Sequence, residues 1–132
     1  MEISDNQYCF VCGRDNPLGF KAAIVVDRDR QHAQCTLTVA AEYQGWQGMV
    51  HGGIISALLD EVCAYAGMTV AGSVVTGELK THFRKPVPVE REVTVAAQVV
   101  NHVRRAVLVE ATLTVAGEVL ASAAAKMVIV HS

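Results

Sequence analysis

The segment Val50-His51-Gly52-Gly53 runs directly into an apolar stretch, Ile54-Ile55-Ser56-Ala57-Leu58-Leu59, that ends on an acid, Asp60. Glycines opening a helix leave backbone N–H groups unpaired and unobstructed at the positive end of the helix dipole, so a carbonyl oxygen or an oxyanion can approach closely. That is the physical specification of an oxyanion hole. The same glycines would also serve a tight strand-to-helix turn. Among such neighbours a carboxylate is costly unless a cleft solvates it or a donor satisfies it, and in that setting it can act as a general base. Ser56, one turn earlier, is the donor expected for Asp60. Glu61 projects about 100° away, with Tyr65 one turn on, and reads as an ordinary solvent-facing acid.

Two further groups of residues could carry chemistry. Between positions 80 and 105, Lys80, Arg84, Lys85, Arg91, Arg104 and Arg105 face only Glu90 and Glu92, a local net of +4 in a chain whose formal net charge is −2. An acyl group carried on a phosphorylated nucleotide needs such a local patch, with Arg104-Arg105 in a turn as its most suggestive part, although strand ends are also charged for solubility alone. Cys9-Phe10-Val11-Cys12 has the spacing at which two thiolates share one zinc ion. A structural site needs four ligands, and the sequence holds no second pair at zinc spacing, so no metal is expected. Cys35 and Cys63 fall on a strand and on the helix, where small buried side chains are the ordinary reading.

These residues need elements to hold them. Good helix formers from Gly52 to about Val70 give one helix, apolar around most of its circumference and hence a buried one. Around it lie alternating segments. A short apolar run from Phe20 to Val26 and the alternation of Cys35, Leu37 and Val39 with Gln34, Thr36 and Thr38 form a hairpin about Asp27-Arg30. Further strands are expected at 75–84, 92–100, 106–116 and 119–130. In the first of these, strict alternation puts Thr76, Glu78, Lys80, His82 and Arg84 on one polar face. Residues 1–19 read as an irregular arm, with turn residues at Gly13, Asn16, Pro17 and Gly19. The expectation is an α+β fold, a long helix wrapped by a curved antiparallel sheet of five to six strands, in a single domain spanning 1–132.

Composition bounds what such a domain can do. The chain has 132 residues, 52% apolar and 18% charged, against about 25% charged in an ordinary soluble domain. The shortage of charge points to a buried interface between copies, a homodimer or a homotetramer. A weakly negative total excludes bulk attraction to nucleic acid or to an anionic membrane. No secretory pattern opens the sequence, and Asp60 and Glu61 interrupt the one apolar run that approaches a membrane span, so a cytoplasmic protein is expected.

The run Val50-His51-Gly52-Gly53 to Asp60, with Val75-Thr76-Gly77-Glu78-Leu79 and the ending Phe83-Arg84-Lys85-Pro86, resembles the hotdog-fold acyl-CoA thioesterases of the phenylacetate-degradation (PaaI-like) type. It is similar above all to the branch that includes animal thioesterase superfamily proteins. The resemblance covers residues 40 to 130, and the arm Cys9-Phe10-Val11-Cys12-Gly13 with Asn16-Pro17-Leu18-Gly19 also resembles the opening of many bacterial members. It implies that Asp60 activates water or attacks the thioester, that the Gly52 N–H polarises the carbonyl, and that Thr76 reaches in from a neighbouring subunit to place the water. It further implies that His51 holds the loop. Gly53, His82, Arg84, Lys85, Arg104 and Arg105 would bind the CoA moiety, with no cofactor beyond the CoA of the substrate. Many members carry Asn or Gln where this chain has Gly45; Gln44 and Gln47 flank it. Small or medium acyl-CoA hydrolysis is therefore expected. A non-catalytic acyl-CoA-binding module and a hydratase or dehydratase on the same fold are the alternatives, the last disfavoured because the helix has no histidine after His51.

Overall fold

In the computed structural model, which describes residues 1–130, the alternating segments form six strands around one helix. They are β1 (Val25–Asp27), β2 (His32–Thr38), β3 (Val74–Phe83), β4 (Glu92–Val103), β5 (Ala106–Val115) and β6 (Glu118–Ile129), with helix α1 (Gly52–Ala71) between β2 and β3. The strands make one antiparallel sheet in the order β1-β2-β4-β5-β6-β3, so β3 leaves the helix and returns to the far edge. β1 is only three residues long, shorter than the apolar run from Phe20 predicts.

Helix α1 starts and stops on local chemistry. His51 caps the first turn through its ring, and Gly72, at φ 78°, closes the last with its N–H on the Met68 carbonyl. Ile55, Leu58, Leu59, Val62, Cys63 and Ala66 recur at helical spacing and are buried against the sheet. They meet Val93, Val95, Val107, Val109, Leu113 and Met127, each almost fully enclosed. By length and composition α1 could cross a membrane, but the concave sheet takes up its apolar face instead.

The arm is ordered by its own contacts. Val11 is buried, the Phe20 N–H reaches the Phe10 carbonyl at 2.8 Å, and the Ala22 N–H reaches that of Val11 at 2.8 Å. Phe20 packs against Tyr43 with ring centroids 4.5 Å apart and planes tilted by 46°, and the Tyr43 hydroxyl donates to the Leu18 carbonyl at 3.1 Å. Residues 1–24 thus cover one flank of α1 without forming a strand or helix.

One irregularity overturns the expected face of β3. Thr76 pairs with Met127 but Glu78 pairs with Lys126, so Gly77 is a bulge. From there the parity changes. Thr76, Leu79, Thr81 and Phe83 share the helix side, opposite Met127, Ala125, Ala123 and Ala121, while Glu78, Lys80 and His82 face away from the helix. Strict alternation had placed Thr76 and His82 together; the extra residue separates them.

A side chain at Gly77 would have its Cβ 2.7 Å from Val128 Cγ2 and 3.3 Å from the Lys126 carbonyl oxygen. Gly77→Ala should therefore cost about 1–3 kcal/mol, as overpacking does, read as a lower urea midpoint with an unchanged slope.

Candidate active site

The bulge brings Thr76 to Asp60. The Thr76 hydroxyl donates to Asp60 Oδ1 of its own chain at 2.6 Å. One carboxylate oxygen is thereby held beside the edge strand β3. Ser56 does not serve Asp60; its hydroxyl lies 3.2 Å from that of Thr81, on the same face of β3.

The three N–H groups at the start of α1 have different fates. That of His51 donates to the Tyr43 carbonyl at 3.0 Å, and that of Gly53 donates to His51 Nδ1 at 2.9 Å. The Gly52 N–H makes no hydrogen bond among the described residues. The Gly52 N–H, rather than that of Gly53, is therefore the one left to donate to an oxygen brought to this helix end. By accepting this bond at Nδ1, the His51 ring caps the turn.

Gly52 opens onto a cleft of about 830 Å³ lined by Trp46, Met49, His51, Phe83, Arg84 and Lys85 among others. Trp46 is 82% and Phe83 55% exposed, an unusual display for large apolar side chains. Gln44 lines the same cleft, with its amide oxygen taking the Gly48 N–H at 3.0 Å. A side chain at Gly45 would start 3.3 Å from His51 Cα, so the loop is packed against the histidine.

The basic residues do not converge. Arg84 stands at the cleft, whereas Lys85 is engaged by Glu118 in a surface ion pair. His82 faces the outer side of the sheet, beside His32, Arg84 and Glu110. Arg104 and Arg105 lie at the other end: the Arg105 carbonyl takes the Ile129 N–H at 2.9 Å, and Ile129 pairs with Val74 at the start of β3. The length of β3, about 30 Å at 3.3 Å per residue, separates them from Arg84. Within one chain the patch is two patches, because closeness in sequence across a strand is distance in space.

These positions fall inside a recognisable unit. The sequence pattern of the family described as the Thioesterase superfamily matches residues 47–124. The chain belongs to the thioesterase superfamily. It is 29% identical over 90 residues to the bovine (Bos taurus) protein named acyl-coenzyme A thioesterase THEM4, covering 68% of this chain and 37% of that one. Its match to the rat (Rattus norvegicus) THEM4 is also 29%, over 93 residues and 39% of that protein. The chain thus spans well under half the length of the curated relatives it matches. Among solved structures, a thioesterase superfamily protein superposes with a TM-score of 0.85 at 26% identity, over 92% of this chain and 63% of that one. The E. coli PaaI protein of the phenylacetic acid degradation operon gives 0.78 at 21%, over 86% and 82%. Streptococcus mutans smu.793, solved bound to acetyl CoA, gives 0.77 at 19%, over 84% and 90%. The fold is the hotdog fold of these thioesterases, an α+β arrangement as the sequence predicts.

Sequence reasoning missed three participants. Phe83 and Thr81 were hidden by the wrong parity, although a glycine inside a strand is a recognised sign of a bulge. Glu61 is not solvent-facing: it is half-buried, and Cys9 Sγ donates to its Oε2 at 3.5 Å. Tyr65 belongs to this second cluster, its hydroxyl donating to Cys12 Sγ at 3.4 Å.

The buried thiols give a testable property. Burial pushes Cys35 up from 9.0 to about 11 and Cys63 up from 9.0 to about 12, with Glu61 and Asp60 adding to the respective shifts. Between pH 9 and 11 the unfolded chain releases these protons while the folded one keeps them, so stability falls as pH rises through that window. Melting temperature should drop from pH 8 to pH 10, and Cys63→Ala should lessen the drop relative to its own value at pH 8.

Proposed function

We propose that the chain hydrolyses an acyl-CoA thioester, with Asp60 as general base, at a site completed by a second copy of the chain. One dimension carries this reading. Gly52 and Asp60 are eight residues apart on α1, about 12 Å along the axis at 1.5 Å per residue. A donor to the carbonyl oxygen and a base for the attacking water must both lie within about 3 Å of one reacting centre, so the two groups of one chain cannot act on the same thioester carbonyl.

A copy supplies the missing half. β3 is a ten-residue edge strand whose outer N–H and C=O groups invite pairing. Phe83 lies under Gly52, 3.5 Å from where a Cβ would be, and Thr76 lies under Asp60. Antiparallel pairing of β3 with its copy, centred near Leu79 and Lys80, sets the Asp60–Thr76 pair of one chain against the Gly52–Phe83 end of the other. Two equivalent sites result, in a homodimer or a dimer of such dimers.

In each site the thioester oxygen accepts from the Gly52 N–H. Water, positioned by Asp60 and the Thr76 hydroxyl oxygen, attacks the carbonyl carbon and gives a proton to Asp60. The oxyanion that forms is held at the helix terminus, where the dipole favours it. It collapses with loss of the CoA thiolate, which receives the proton, leaving the free acid. Trp46 and Phe83 offer apolar surface to the acyl group, and Arg84 a charge to the phosphates. The names of the bovine and rat relatives and the acetyl CoA of the S. mutans structure support this substrate class.

Gly52 is the first helical residue, where proline is well tolerated, and His51 before it is already extended at ψ 135°. Gly52→Pro therefore deletes the N–H while sparing the helix. Asp60→Asn and Gly52→Pro should each lower kcat against a panel of acyl-CoAs by at least about 10²-fold. After dissociation and remixing of the two inactive variants, activity should return to about a quarter of wild type, because half the random pairs are mixed and each keeps one intact site. A mixture as inactive as its parents would place both groups in one chain. CoA-ester binding without thiol release would make the protein a binding module.

A further inference from the structure

The flank of α1 that faces the arm, about 100° around the helix from Asp60, holds a cluster that the reaction does not use. Cys9 Sγ, Cys12 Sγ and a Glu61 carboxylate oxygen all lie within 4.8 Å of one another. Two come from the arm and one from the helix, fifty or so residues on. We propose that Cys9, Cys12 and Glu61 bind one zinc ion and that this ion fastens the arm to α1.

The turn that presents the thiols is built for close quarters. The Gly13 N–H donates to the Cys9 carbonyl at 2.8 Å, and a Cβ at Gly13 would sit 2.4 Å from the Cys9 nitrogen and 2.5 Å from its oxygen. Only glycine closes the turn that way, and the closure turns both sulfurs toward the helix. Around a tetrahedral zinc, with bonds of about 2.3 Å to sulfur and 2.0–2.2 Å to oxygen, ligand atoms are about 3.5–3.8 Å apart. Small side-chain rotations bring the cluster to that spacing.

Charge argues the same way. Glu61 is half-buried beside the apolar face of α1, and the one ion pair among the described residues, Lys85–Glu118, lies elsewhere. Its partner in the structure is a thiol at 3.5 Å, a weak donor. A divalent cation replaces that contact with three bonds. On binding, both thiols give their protons to solvent, and two thiolates and a carboxylate hold the ion with a residual charge of −1. Tyr65 donates to Cys12 Sγ at 3.4 Å, the type of outer hydrogen bond that orients a thiolate ligand. Cys12 and Tyr65 line a surface cleft through which the ion, and water as fourth ligand, can enter.

The donor set selects the metal. Two thiolates disfavour magnesium and calcium, and the carboxylate disfavours copper(I), whereas zinc accepts both ligand types. The ion would hold the arm whose Phe20 packs on Tyr43, and the Tyr43 carbonyl in turn takes the His51 N–H at 3.0 Å.

The test uses the full chain, reduced and stripped of metal by chelation. Cobalt(II), added as a zinc surrogate, should give a thiolate charge-transfer band and tetrahedral visible absorption that saturate at one ion per chain and are displaced by zinc. Zinc should raise the melting temperature by about 5–10 °C at a hundredfold excess over its dissociation constant. Cys9→Ser and Cys12→Ser should abolish the band and the shift, Glu61→Gln should weaken binding at least about tenfold, and Cys35→Ser should leave both intact. Folding of each variant is verified by circular dichroism, and a band that persists in folded Cys9→Ser/Cys12→Ser protein overturns the proposal. So does reduced wild-type protein that shows no band and no zinc-dependent shift, whether or not its two thiols pair as a disulfide once exposed to air.

Discussion

The contact between β3 and β6 at Gly77 sets the geometry of everything around the carboxylate. At that point the neighbouring strand comes within 2.7 Å of where a side chain would begin, so the backbone there must belong to glycine. The extra residue turns Thr76 toward the helix while leaving Glu78, Lys80 and His82 on the outer face. Without the bulge, a strand that carries Leu79, Thr81 and Phe83 inward would carry Val75 inward as well, and Asp60 would face an aliphatic side chain instead of a hydroxyl. A half-buried carboxylate in a helix this apolar needs such a donor, and Thr76 provides it at 2.6 Å. The same shift of parity places Thr81 against Ser56 and Phe83 beneath Gly52, so one inserted residue orders the whole interface between β3 and α1.

Two adjacent acids on α1 then divide its surface. Successive residues on a helix are turned by about 100°, so Asp60 looks toward the β3 edge while Glu61 looks toward the arm. The sheet covers the face between Leu58, Leu59, Val62 and Cys63. One flank is closed by the chain's own first residues, through Val11 and the cysteine turn. The other ends at an unpaired strand with Phe83 and Trp46 uncovered. The 18% charge content is consistent with that second flank meeting another copy.

Much of this is legible in the amino-acid sequence. Period-two alternation located every long strand, and the run of helix formers after His51-Gly52-Gly53 located α1 to within a residue. The carboxylate and the glycine turn stood out because an acid in an apolar helix and glycines at a helix start each break a local rule. What stayed hidden depended on contacts between distant segments. Whether Gly77 kept or broke the alternation was decided by β6, fifty residues later. That Arg84 and Arg105 would occupy opposite ends of the sheet follows from pairing that composition cannot express. The arm has no periodicity to read, so nothing in its own residues announced Glu61 as the neighbour of Cys9.

The separation of Gly52 from Asp60 has a consequence for how the proposed activity would behave. Two groups held about 12 Å apart on one rigid helix cannot be brought together by loop motion or by a change of rotamer. A helix capped at both ends and enclosed by the sheet has no hinge between them. On this reading, catalysis belongs to the pair of chains, and separation of the pair removes activity without unfolding either chain. The edge strand that would otherwise be a liability then becomes the element that assembles the site. Its outer groups are satisfied in the same event that sets an oxyanion donor opposite a base. Strand pairing at β3 and catalysis would be linked equilibria, so a substrate spanning both chains would favour the dimer by the same factor by which dimerisation favours substrate binding.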